Sequence, residues 1–298
     1  MSNSAVSSLS AITNSRPRLR GVCFAQLLAF CFAGTSAWAL DSGKPPNEQF
    51  DLTRWKLTLP ADRAGKFPGP PEEIGVTDLA GGYHDRYFFT DPEDGSTGFK
   101  TPYNGATGGT SSHPRCELRE MLPNGQQHNW TAGSEGGTHR LSATCTVDSD
   151  SVGNGGQVSI GQIHAKDPNI AAIMLFYDNK ENQGALRVHV KKKVTEDPGE
   201  SHRFAPVGLN VPGTHKTKPI AYELKLVSDE AGHVTFTATV NGETWSEQVS
   251  DFDAHAWKTA TFYFKAGSYY TLPVKGCNAT VTFQSLLLFS PGPRRPGS

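Results

Sequence analysis

Tyr263-Phe264-Lys265-Ala266-Gly267-Ser268-Tyr269 is the stretch whose reading decides the fold. As a strand it sends residues 263, 265, 267 and 269 to one face and Phe264 and Ala266 to the other, because successive side chains point to opposite sides of a pleated chain. The second face is apolar and suits a core. The first carries a lysine and two tyrosines, groups that are costly to bury without partners. Two further segments divide in the same way. In Arg115-Cys116-Glu117-Leu118-Arg119 the three charged residues share a face and oppose Cys116 and Leu118. In Gln162-Ile163-His164 the polar pair opposes Ile163. Any one of these alone would read as an ordinary solvated strand. It is the set of three, each with an apolar back, that points to a sheet with one chemically equipped surface.

Working outward, the rest of the chain reads as strand after strand. Segments Phe50–Pro60, Tyr83–Thr90, His139–Val147, Ala171–Tyr177, Ala185–Lys193, Ala221–Ser228, Val234–Val240, Glu243–Val249, Thr259–Tyr270 and Ala279–Phe289 are short and bounded by turn residues. Asn241-Gly242 is the strongest hairpin dipeptide. Asp251–Trp257 reads as the one short helix. Residues 91–114, rich in Gly, Ser, Thr, Pro and Asn, read as a long surface excursion. Thirty-one glycines and 20 prolines in 298 residues suit many turns and disfavour a helical bundle. The fold expected is all-β, a sandwich or jelly roll of two antiparallel sheets, with a closed barrel as the alternative. Arg187, His189, Lys191 and Lys193 also alternate onto one face. They read as a solvated edge strand whose lysines discourage aggregation, and stay outside the site.

The first 39 residues read as an export signal. Arg16, Arg18 and Arg20 precede an apolar run from Val22 to Ala33, which ends in Ala37-Trp38-Ala39. A secreted or periplasmic destination follows, with one domain over 40–298 and its core at about 50–289. Losing three arginines and no acid moves the formal charge from −1 to −4. That balance disfavours a nucleic-acid partner, and nothing after residue 40 is long and apolar enough to enter a membrane. Of five cysteines, Cys116, Cys145 and Cys277 remain, which leaves disulfide pairing open. No Cys/His cluster with metal spacing is present, so neither metal nor cofactor is expected.

With their flanks, the three segments resemble the family 7 alginate lyases. Asn104-Gly105-Ala106-Thr107 and Ser111-Ser112-His113-Pro114-Arg115-Cys116-Glu117-Leu118-Arg119-Glu120-Met121 are similar to one family signature. Gln162-Ile163-His164 and Tyr263 through Tyr269 match two more, and Trp55-Lys56-Leu57-Thr58-Leu59-Pro60 is typical of the opening. The resemblance spans roughly residues 50–289. Cys116 stands where the family mostly has Ser or Thr, and Thr271 where Gln is common. The resemblance implies a jelly roll whose concave sheet forms a substrate cleft. It also implies cleavage of alginate by β-elimination, giving oligosaccharides with an unsaturated uronate at the non-reducing end.

A uronate lyase must remove the proton at C5, beside a carboxylate, and expel the oxygen at C4. Donors aimed at that carboxylate carry most of the task. Arg115, with its planar fork and permanent charge, suits the principal donor. Gln162 adds a neutral amide, His164 a base, and Tyr269 a group able to act as both acid and base. The resemblance assigns catalysis to the same four, with Tyr269 protonating the leaving oxygen. It makes the base Tyr269 for one uronate epimer and His164 for the other. Glu117, Arg119 and Lys265 complete the substrate-binding set: Glu117 orients an arginine, Arg119 lines the neighbouring subsite, and Lys265 meets another sugar carboxylate. In the family, Ile at position 163 goes with guluronate-containing substrates. Endo-type action by a monomer is expected, with loops 91–114 and 195–219 deciding access. Two other functions compete. A glycoside hydrolase needs a facing pair of carboxylates, and only Glu117 stands out. A lectin-like polyuronate-binding module would not require a proton carrier beside the arginine. A lyase acting on another polyuronate is the remaining alternative.

Overall fold

The computed structural model describes residues 40–290, apart from 68, 109–110, 134–136, 181–183, 194–198, 210–214, 230 and 250. The export signal read over 1–39 lies outside them. In chain order the strands are β1 (Trp55–Thr58), β2 (Glu73–Ile74), β3 (Phe88–Thr90), β4 (Thr97–Pro102), β5 (Arg115–Glu120), β6 (Trp130–Thr131), β7 (Thr138–Asp148) and β8 (Gln157–Asp167). They continue with β9 (Ile170–Asp178), β10 (Ala185–Val190), β11 (Glu200–Arg203), β12 (Ile220–Ser228), β13 (Val234–Val240), β14 (Glu243–Gln248), β15 (Thr261–Leu272) and β16 (Asn278–Phe289). Short helices are α1 (Pro46–Gln49), α2 (Val76–Ala80), α3 (Ser149–Val152) and α4 (Asp251–Thr259).

Among the described residues these strands build two antiparallel sheets. One runs β11-β10-β9-β8-β15-β5-β1-β2, with β6 also paired to β15. The other runs β14-β13-β12-β7-β16-β4-β3. Each sheet ends in free edges, so the architecture is the expected sandwich and not a closed barrel. Alternation sets the core between them. Leu118, Ile163, Phe264 and Ala266 face inward from the first sheet, and Phe99, Leu224, Phe236 and Phe283 belong to the same buried cluster. Phe99 meets Phe88 and Phe283 edge-on at ring separations of 5.1 and 5.3 Å. Asn241 and Gly242, at φ 50° and 87°, form the turn between β13 and β14, as the dipeptide predicts. Cys116 and Cys145 are buried, and with Cys277 they are the three cysteines among the described residues, all free thiols.

The structure corrects four of the sequence readings. The first strand shortens from Phe50–Pro60 to β1, with α1 ahead of it. Residues 91–114 are not all excursion: β4 crosses them, and its burial on both faces removes the alternation that would have shown it. Asp251–Trp257 is helical, but α1, α2 and α3 are helices too. Finally, β10 is not an edge, because β11 pairs along its outer side. β11 is Glu-Ser-His-Arg, and with no apolar residue it gives no strand signal.

One local device fixes the equipped surface. Gly267 sits at φ 143° in β15, where the register against β8 slips between Ala266 and Tyr269. A Cβ there would lie 2.5 Å from the Cys116 carbonyl oxygen, so only glycine lets β15 approach β5 this closely. Thr101 of the opposite sheet spans the same place. Its hydroxyl donates to the Ser268 carbonyl at 2.8 Å and accepts from the Cys116 N–H at 2.9 Å.

Candidate active site

β15 lies between β5 and β8, and antiparallel register brings the three segments into contact. Tyr269 pairs with Arg115, Gly267 with Glu117, and Lys265 with Arg119. On the other side Lys265 pairs with Gln162, and Tyr263 with His164. Directly opposed residues share a face. All seven residues singled out from sequence therefore stand on one surface of the first sheet.

Glu117 is the hub of this surface. It is 1% exposed. One carboxylate oxygen accepts from the Gln162 amide, and the other accepts from the Lys265 ammonium and, at 3.5 Å, from Arg115 Nη1. A buried carboxylate with three donors is satisfied and fixed. Glu117 was expected to orient an arginine within the substrate-binding set, and its buried carboxylate does contact Arg115 together with two further donors. Lys265 is 7% exposed. Burial pulls its pKa down to about 8, against the opposing pull of Glu117.

Arg115 keeps 19% of its side chain exposed, and its guanidinium carbon lies 4.2 Å from the Tyr269 ring centroid. The Tyr269 hydroxyl is 3.3 Å from Ser111 Oγ, and Ser111 in turn donates to the His113 carbonyl at 3.1 Å. Because the Ser111 proton is committed to that carbonyl, its oxygen accepts from the phenol. The His113 ring stands edge-on to Tyr269 at 6.1 Å, and burial, then Arg115, lowers its pKa.

His164 is held as a neutral imidazole. Burial first, then Lys265, Arg115 and Arg119, bring its pKa down to about 3. Its Nδ1 lies 2.7 Å from the Ala165 carbonyl oxygen, which can only accept, so Nδ1 carries the proton and Nε2 keeps its lone pair. The ring stacks on Tyr263 at 5.1 Å. Arg119 lies 4.0 Å from the centroid of the same Tyr263 ring, and donates to Asn129 Oδ1 at 2.6 Å and Gln127 Oε1 at 3.4 Å. At 6% exposed, Arg119 is largely consumed by these contacts.

Parity placed Tyr263 on this face without giving it a role. Gln127 and Asn129 were missed, since nothing local distinguishes them from turn residues. Glu120 was missed for the opposite reason: it faces the core side. It is fully buried and accepts from His128 Nδ1 at 2.6 Å, Trp130 Nε1 at 2.9 Å and the Phe264 N–H at 3.1 Å, joining β5 to β15 from beneath. Thr271, the departure from the family pattern, donates to Gln157 Oε1 at 2.8 Å. Among the described residues no group of three or more His, Cys, Asp or Glu could hold a metal ion. No helix among them is long and apolar enough to cross a membrane. Chemically, the surface offers cations for a carboxylate, a neutral imidazole and a phenol within one cluster.

A family model described as alginate lyase matches residues 50–289. An alginate lyase of Klebsiella pneumoniae is 28% identical over 262 residues, covering 75% of this chain and 83% of that protein. The crystal structure of alginate lyase A1-II', a member of polysaccharide lyase family 7, superposes with a TM-score of 0.65 at 29% identity, covering 82% of this chain and 97% of that one. A Tyr-to-Phe variant of A1-II' was crystallised with product (GGG). An alginate lyase from Pseudomonas aeruginosa shares the fold with a TM-score of 0.67 at 24% identity, covering 80% and 99%. The two antiparallel sheets match the jelly roll of these neighbours.

Proposed function

The chain belongs to the alginate lyase family, and from that membership we propose that it cleaves alginate endolytically by β-elimination at the Arg115–Gln162–His164–Tyr269 cluster. The observation that carries the proposal is the cross-strand register, which sets a carboxylate-binding arginine beside a phenol and, one strand further, a neutral imidazole.

A uronate carboxylate docks on Arg115 and the Gln162 amide, which stabilise the enolate-like dianion formed when the C5 proton leaves. These donors are already aimed, because Glu117 holds both of them. The incoming negative charge also offsets the cations that depress His164, so its Nε2 becomes a better base in the complex than in the free enzyme. Tyr269 donates its proton to the C4 oxygen as the bond breaks. For one epimer His164 Nε2 removes the C5 proton while Tyr269 gives up its own; for the other, Tyr269 enters without its proton, takes the one from C5 and passes that same proton to the C4 oxygen. Guluronate-containing or mixed blocks are the preferred substrate. Support for this comes from the product (GGG) held by the A1-II' variant.

Incubation with alginate while following ultraviolet absorbance tests the reaction class. Elimination yields a conjugated double bond, hydrolysis only new reducing ends, and a lectin neither. Products from purified poly-mannuronate and poly-guluronate test the preference.

The pH dependence supplies a second check. A lysine held at about 8 is charged below that pH and neutral above it. kcat/KM, which reports the free enzyme, is expected to fall as pH rises through about 8. Lys265→Arg is expected to remove that limb, because a guanidinium keeps its proton throughout the range. An identical alkaline limb in the variant rules Lys265 out as its source.

A further inference from the structure

Rows of directly opposed residues run across the first sheet at right angles to its strands. One of them joins Arg115, Tyr269, Ser159, Phe176, Arg187 and Arg203 through successive antiparallel pairs. Residues so paired share a face. Arg187 and Arg203 therefore stand on the same surface as the candidate active site, at the far end of the sheet. Since β10 is an inner strand, its arginine is not explained as edge protection.

Three observations show that this end is built. First, Arg187 is fixed: its Nε donates to Asp178 Oδ2 at 3.2 Å, and its guanidinium carbon lies 4.7 Å over the Phe176 ring. Asp178 is held in turn by the Gln157 amide, whose oxygen accepts from Thr271. The substitution that departs from the family pattern thus sits at the root of a chain of bonds leading to Arg187. Second, β11 is pinned by its inward residue. His202 stacks on Trp245 of the other sheet at 5.8 Å and bonds Glu243 at 3.0 Å, so Arg203 is turned outward and exposed. Third, Arg203 has no partner among the described residues and faces Arg187 directly. Like charges in opposed positions repel. An anion between them would remove the penalty.

We propose that Arg187 and Arg203 form a distal subsite that binds a uronate carboxylate of the same glycan. This rests on the alginate reading of the Arg115–Tyr269 site. Neighbouring strands lie about 4.8 Å apart, and a 1,4-linked pyranose chain advances by roughly that much per sugar. From β5 to β10 is four strand steps, so Arg187 lies about 19 Å from Arg115. A glycan laid along the row meets Arg187 about four sugars from the reacting one. A tetrasaccharide spanning the cleaved bond does not reach it.

The experiment compares alginate polymer with alginate tetrasaccharide, reading kcat and KM from the conjugated product. Arg203→Gln and Arg187→Gln/Arg203→Gln are expected to reduce the polymer-to-tetrasaccharide ratio of kcat/KM by about tenfold, through KM, the worth of one charge-assisted bond. Arg203→Lys is expected to recover part of the loss. Arg203→Gln should melt no lower than wild type, since the arginine it removes is unpartnered. If wild type cleaves polymer and both variants keep its ratio, the distal subsite is overturned while the lyase reading stands. If wild type yields no conjugated product from any polyuronate, the lyase reading falls and takes the subsite with it.

Discussion

Replacing Tyr269 by phenylalanine is expected to lower kcat on alginate by ~10²–10⁴-fold, the usual span for removing a general acid–base group. The change deletes one oxygen. The ring that remains still lies under the Arg115 guanidinium and beside the His113 ring, so the surface keeps its shape. Among the described residues the hydroxyl's one hydrogen bond is to Ser111, which donates its own proton to the His113 carbonyl. Binding of alginate oligosaccharide, measured by calorimetry on the variant, should therefore stay close to that of wild type. Loss confined to kcat separates a proton carrier from a binding group. A variant that turns over at the wild-type rate removes Tyr269 from the mechanism, and one that binds poorly but reacts normally once saturated makes it a binding residue.

Replacing Glu117 is expected to cost both stability and activity. Glu117→Ala leaves Lys265 buried without its counter-ion and frees Arg115 and Gln162 from their common anchor. Breaking a buried pair from one side typically costs about 3–5 kcal/mol, because the remaining charge is uncompensated. Chemical denaturation reads that loss. Glu117→Gln keeps the volume and isolates the charge. Burial already holds Lys265 at about 8, and Glu117 is the group that opposes that fall. Without the carboxylate the lysine releases its proton at lower pH. The alkaline limb of kcat/KM should then shift toward acid, with activity partly recovered as pH is lowered. An unshifted limb together with wild-type stability would show that Glu117 does not organise the cluster.

The distal arginines show why such effects differ in size across one surface. At Glu117 three donors converge on a carboxylate with no access to water, so losing it leaves buried charge. At Arg203 the side chain is exposed, and its removal costs the fold little. Only long substrate should register its absence.

The site was legible in sequence because each of its strands carries its own alternation. Arg115, Glu117 and Arg119 had to share a face, and so did Gln162 with His164 and Tyr263 with Lys265 and Tyr269, whatever their neighbours. Three things were not legible. β4 is buried on both faces and β11 is polar throughout, so neither alternates. The φ of Gly267, and the close passage of β5 that requires it, depends on the opposite sheet's Thr101. Glu120 faces inward among apolar residues, and the indole, imidazole, guanidinium and backbone donors gathered there explain a buried carboxylate.

By itself the sequence determined which residues face which way, the all-β class and the resemblance to the lyase family, since all of these rest on local periodicity and short motifs. Only the tertiary structure decided that Glu117 lies beneath its three donors, that His164 is neutral with a free Nε2, and that Arg187 has Arg203 for a neighbour. Each of these depends on partners brought from distant parts of the chain, 45 residues away for Gln162 and Glu117 and 158 for Ser111 and Tyr269. Strand order and desolvation arise only when the sheets pair and pack, and no local pattern encodes them.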